Sequence, residues 1–241
     1  MSRPRPHAMV GTSMGESPVD TPVPAILPQH AILLWQIFTQ RVEPLARITY
    51  RWALSDLSAK FTNPDRLSSI CKTEKALVAA IYYMSASSLI EKECQDLFEL
   101  PRIRVLAEYQ ARCEEALLRT NLFCMRDVTV IKAIIFYIMA SYERLSTESL
   151  WSLMGITSRN AEKLGLHRDG SVLELSPLEV EDRRRVWWQL QHLELNLAIR
   201  IGLTPMTLTA GSDVKLSSNI EDDDISSDCT TMPKPRKAER G

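Results

Sequence analysis

The chain has 241 residues, 45% of them hydrophobic, and carries 29 Lys and Arg against 30 Asp and Glu. That apolar content suffices for one continuous core, whereas the balanced charge lacks the positive field that displaces counterions from nucleic-acid phosphate, so direct DNA binding by this sequence is not expected. The first residues run into Gly, Ser and Pro without the apolar core of a signal peptide, and the greasy stretches Leu77–Ile90 and Val128–Ala140 are too short and too polar to span a bilayer, so no membrane partner is expected.

Residues 1–29 contain Pro4, Pro6, Pro18, Pro22, Pro24 and Pro28 and few large apolar groups, which predicts an extended leader. Folding is expected to begin near His30, where Ile32, Leu33, Trp35, Ile37 and Phe38 have helical spacing. Pro44 should bend or break the run before Leu45, Ile48, Trp52 and Leu57 continue it. The stretch Lys72–Leu89 is apolar on most sides and predicts a buried helix. Pro101 suits the first turn of a half-exposed helix over Arg102–Arg119.

Asp127 is placed to cap a helix over Val128–Tyr142. Its β-branched content raises a strand alternative, but the run is too long for a typical strand. Thr147–Leu164 reads as a helix stopped at Gly165. Ser176-Pro177-Leu178-Glu179 combines a capping hydroxyl, a proline at the first helical position and a carboxylate three residues after the cap, so a helix should run from Pro177 to about Ile201 and stop at Gly202. On it, Glu179 can pair with Arg183 and Glu181 with Arg185. Beyond Pro205 no apolar face is recognisable, and residues 211–241 read as an irregular tail with acidic and basic runs. The expected fold is all-α: a single multi-helix domain over residues 30–210, between an irregular N-terminal leader and a C-terminal tail.

Few residues offer chemistry. Cys71, Cys94, Cys113, Cys124 and Cys229 are odd in number, lack any CxxC pair and read as reduced, mostly buried thiols. His7, His30, His167 and His192 stand at no metal-ligand spacing, and no nucleophile elbow or Gly-rich phosphate loop occurs. No cofactor and no metal are expected. Asp222-Asp223-Asp224, preceded by Glu221, could bind magnesium as in helical prenyl-diphosphate enzymes if a helix presented it at an aromatic cavity. Its Ser- and Asn-rich surroundings favour a solvated acidic loop instead. Arg183-Arg184-Arg185 before Trp187-Trp188 allows a phosphate patch with stacking aromatics. The competing reading pairs the arginines with neighbouring carboxylates and sends both indoles into the core. Pro233-Lys234-Pro235-Arg236-Lys237 is weakly similar to a nuclear import signal.

Trp151-Ser152-Leu153-Met154-Gly155, the run Ala161–Gly170 containing Gly165, His167, Arg168 and Asp169, the capping segment, Glu181-Asp182-Arg183-Arg184-Arg185-Val186-Trp187-Trp188 and Gly202-Leu203-Thr204-Pro205 follow one another in order. Together they resemble the fungal-specific transcription factor domain, the middle homology region of zinc-cluster regulators, in the version found in regulators of secondary-metabolite gene clusters. Leu34–Phe38, Ala80–Tyr83 and Asn219–Asp224 have counterparts there, so the resemblance covers roughly His30–Lys237.

The resemblance implies a non-catalytic, nuclear, all-α regulatory domain that follows a six-cysteine zinc cluster. Gly165, His167, Arg168, Asp169, Glu181, Arg183, Arg184, Arg185, Trp187 and Trp188 would then be structural motif residues. No cysteine precedes Cys71 in this sequence, so the cluster that reads DNA is not in it, and the expected partners are other transcription regulators or a small effector, with DNA engaged only indirectly. A magnesium-dependent enzyme and a non-transcriptional helical scaffold are the alternatives.

Overall fold

The computed structural model describes residues 27–62, 69–205 and 211–236. The expected leader therefore falls almost entirely outside the described residues, as do the end of the helical span (206–210) and the last five residues of the tail. Among the described residues there are eight α-helices and no strand: α1 Pro28–Ile37, α2 Arg51–Thr62, α3 Lys72–Ser87, α4 Glu91–Phe98, α5 Arg102–Leu118, α6 Val128–Ser141, α7 Thr147–Lys163 and α8 Pro177–Ile201.

The caps read from sequence explain where these helices begin. Asp127 accepts from the Thr129 amide at 2.8 Å, and Ser176 and Glu179 close a reciprocal capping box at the start of α8. Gly165 and Gly202, with φ of 73° and 70°, turn the chain out of α7 and α8 in the left-handed region that favours glycine. Pro44 does end the first helical run: α1 widens into a π-helical turn over Phe38–Val42, in which Glu43 N–H reaches back to the Phe38 carbonyl, and the chain then breaks. Two features are absent from the sequence expectations. Cys71 is exposed and caps α3 by accepting from the Glu74 amide, and α4 is a separate short helix.

The core forms where α3 packs against α6 and α5, with α8 laid against α7 and α6. α6 is helical despite its β-branched residues because burial overrides propensity: Ile131, Ile134, Ile135, Phe136 and Ile138 are completely inaccessible. Each such side chain contributes about 1.5–3 kcal/mol on burial. Phe38 meets Phe136 edge-on at 5.2 Å, tying the π-helical turn to the centre of α6.

Candidate functional site: the polar seam of helix α8

The motif residues converge on one side of α8. Its three consecutive arginines, separated by about 100° each on the helix, reach three different targets. Arg183 donates to the Leu164 carbonyl at 2.9 Å, closing the end of α7, and so does not pair with Glu179, whose carboxylate folds back onto Ser176. Arg184 makes a two-pronged bond to Asp169, both distances 2.8 Å, with both side chains almost fully buried. Arg185 joins Glu181 at 3.1 Å and Asp222 at 2.9 Å, and its guanidinium lies 4.6 Å from the centre of the Tyr50 ring. The expected Glu181–Arg185 pair is therefore present, extended by a carboxylate 37 residues away.

Asp169 is the hub of the seam. Besides Arg184 it accepts from Ser171 and from the Lys215 amide, while its own amide donates to Asp213, whose other oxygen holds Arg168. Arg184 first, then Ser171 and Lys215, hold its carboxyl well below the usual carboxylate range even though burial pushes the other way. Burial also works against the charged form of Arg185, but Asp222, Tyr50 and Glu181 outweigh it and raise its pKa. Gly170 sits so close to α8 that an added Cβ would lie 3.0 Å from the Val180 Cα, so a larger residue there would push Asp169 out of line with Arg184.

Residues 211–236 complete the seam as an irregular strap. Val214, Ile220 and Ile225 are buried in it, Ser218 N–H donates to both oxygens of Glu181, and the Trp188 indole N–H donates to the Lys215 carbonyl at 2.9 Å. The sequence reading found no apolar face here because three widely spaced residues carry the contact. The expected solvated acidic loop is corrected as well. Asp222 is buried between Arg185 and the Arg51 amide, Glu221 meets Arg47 at 3.1 Å, and Asp224 binds Arg236. These carboxylates occupy a short 3-10 turn facing arginines, not a helix facing an aromatic cavity, and no three His, Cys, Asp or Glu among the described residues gather to hold a metal ion.

Other sequence expectations need adjustment. Trp187 is 1% exposed and enters the core, but Trp188 is only half-buried, so the two indoles are not equivalent. The arginines do not form an open phosphate patch, because Arg184 and Arg185 are buried and paired. His167 lies against Trp187, ring centres 6.4 Å apart, and its carbonyl accepts from the Asp213 amide. All five cysteines are free; Cys94 and Cys113 are buried as expected, while Cys71, Cys124 and Cys229 are not. Lys237 of the basic run lies outside the described residues.

The family model for the fungal specific transcription factor domain matches residues 35–238, which takes in the α8 seam and the strap together. The chain belongs to that family. Among curated relatives, this fungal specific transcription factor domain is 31% identical over 225 residues to the pyriculol/pyriculariol biosynthesis cluster transcription factor 1 of Pyricularia oryzae, covering 90% of this chain and 30% of the relative. It is 32% identical over 209 residues to the aurofusarin cluster transcription factor of Gibberella zeae, 86% and 31% of the two chains. A transcriptional regulator of Aspergillus aculeatus is 26% identical over 95% of this chain and 31% of its own length. The chain thus spans about a third of the length of the curated relatives it matches. No solved structure is significantly similar to it. In the seam, Arg184 with Asp169, Arg185 with Glu181 and Asp222, and the amides of Lys215 and Ser218 together hold the strap against α8.

Proposed function

We propose that the chain is a regulatory domain of transcription that controls a biosynthetic gene cluster, works in the nucleus and catalyses no reaction. The observation that carries this reading is the family match over residues 35–238, joined to relatives whose names are those of cluster transcription factors. Electrostatics agree with an indirect relation to DNA: the net charge is −1, and the arginines most suited to phosphate are buried against carboxylates. DNA is then read by a zinc-cluster module, in the same polypeptide or in a partner, and this domain sets the module's output in response to other regulators or a small effector. No helix among the described residues is long and apolar enough to cross a membrane.

The decisive experiment is transcript profiling after deletion of the coding region and after its overexpression. Expression of one contiguous set of biosynthetic genes is expected to change in opposite directions, with a fluorescent fusion concentrated in the nucleus. An unchanged profile in both strains, or a fusion that stays outside the nucleus, overturns the proposal.

A further inference from the structure

The second half of α8 borders a groove of about 730 Å³. One wall is α8 from Gln189 to Arg200, with His192, Asn196 and Ile199 between them. Steps of three and four residues put that set on one helix face, which runs for about 16 Å along the axis. Met84 of α3 and Met139 of α6 lie opposite, with Leu45 from the break after α1 beside them. Leu45 is 80% and Ile199 68% exposed, so large apolar groups flank an open trough. Apolar side chains grouped in this way on a surface are the usual mark of a place where another molecule lies.

Length, surface and charge define the occupant. The wall matches about three turns of an α-helix. The two methionines offer unbranched thioethers, which adapt to whatever side chains are laid on them. The charge has one sign, because Arg200 and His192 are in the lining and no carboxylate is. α8 itself supplies the contrast. Arg183, Arg184 and Arg185 are each bound to a carbonyl or a carboxylate, whereas Arg200 is exposed and has no acidic partner among the described residues. Its guanidinium rests 5.1 Å from the centre of the Tyr142 ring, at the end of the groove. A second copy of the chain, docking by the same face, would add another Arg200 and no acid.

We propose that this groove docks an acidic amphipathic helix of a partner regulator, which lays its apolar face on Met84, Met139 and Ile199 and sets a carboxylate on Arg200. Anchors at i, i+3 and i+7 of such a helix reach along the trough, and acidic residues beside them meet the only sign of charge it presents. The inference rests on the partner arm of the proposed function and names the chemistry of that partner.

The test is titration of the full chain, labelled with carbon-13 at its methionine methyls, with a synthetic helical peptide of about 15 residues carrying leucines at those anchor positions and glutamates beside them. Saturable binding that shifts the Met84 and Met139 methyl signals is expected. Ile199→Asp should weaken it at least about tenfold, and so should Arg200→Glu, since each sets a like charge against the peptide. Arg200→Glu should also tighten binding of the same peptide with lysines in place of glutamates, a reversal that loss of folding would not produce. Both residues are exposed, so both variants should melt as the parent does. Absence of saturation overturns the assignment, as does equal affinity of the parent for the two peptides. A dimer in sedimentation velocity that Ile199→Asp dissociates overturns it too, by giving the groove to a second copy. Peptide binding with transcription unchanged on deletion overturns the regulatory reading alone; altered transcription without peptide binding overturns only the groove.

Discussion

Helices α6 and α8 both cross the interior, but they are held by different means. α6 buries five isoleucine and phenylalanine side chains completely and carries one cation, Lys132, which meets Asp182 of α8. α8 buries Trp187, Val186, Leu190 and Leu197, and with them Glu181, Arg184 and Arg185. Apolar contact is non-directional and tolerates exchange of side chains of similar volume. Buried ion pairs differ: they contribute little net stability compared with an apolar substitute, but loss of one partner strands a charge. The bundle around α6 therefore supplies most of the stability, and the seam on α8 dictates where the strap lies.

Four measurements can break or sharpen that contrast. Trp187→Ala should cost about 3–5 kcal/mol in urea unfolding, as for other fully buried aromatics, and should loosen the whole domain. Asp169→Ala leaves Arg184 buried and unpaired, a cost of about 3–5 kcal/mol when felt in full. If the strap can peel away and rehydrate Arg184, the observed loss will be smaller and limited proteolysis will cut within residues 211–236 before the bundle opens. Global unfolding with the strap still protected would refute the division into bundle and seam.

The third measurement is the acid dependence of stability. The Asp169 carboxyl is depressed in the folded chain, and Asp213 and Asp224 are depressed as well. The unfolded chain therefore takes up these protons first. Their contribution is complete above the unfolded value of about 3.9 and is lost as pH falls toward the folded values. Asp169→Asn should flatten this acid limb; an unchanged slope would mean that other carboxylates set it. The smallest effect is expected for Trp188→Phe, which keeps an aromatic ring but removes the N–H to Lys215, a loss of about 1 kcal/mol by chemical denaturation. A loss as large as that of Trp187→Ala would show that the strap belongs energetically to the core.

The same division decides what sequence could reveal. α8 was legible to the residue because its limits are local: the box at Ser176 and Glu179, and the left-handed Gly202. α6 was legible from the sheer density of its apolar residues. α4 was not, since its eight residues make only about two turns, too few for the spacing of Cys94, Leu97 and Phe98 to stand out, although Glu93 accepts from the Ile90 amide at its start. The strap escaped for another reason. The bonds from Asp169 to Lys215, Glu181 to Ser218 and Arg185 to Asp222 join residues 37–46 positions apart, and no periodicity encodes such a pairing. The family resemblance did single out Asn219–Asp224 and the three arginines as motifs, but not that they meet.

Arg183, Arg184 and Arg185 bolt the front of α8 to α7, to the Asp169 turn and to the strap in three directions at once. A helix fastened that way can neither roll about its axis nor slip along it without releasing all three grips. Its 25 residues make a rod about 37 Å long at 1.5 Å per residue. Detaching the strap from this rod therefore means opening the Arg185 grip while the other two still pin the helix in place.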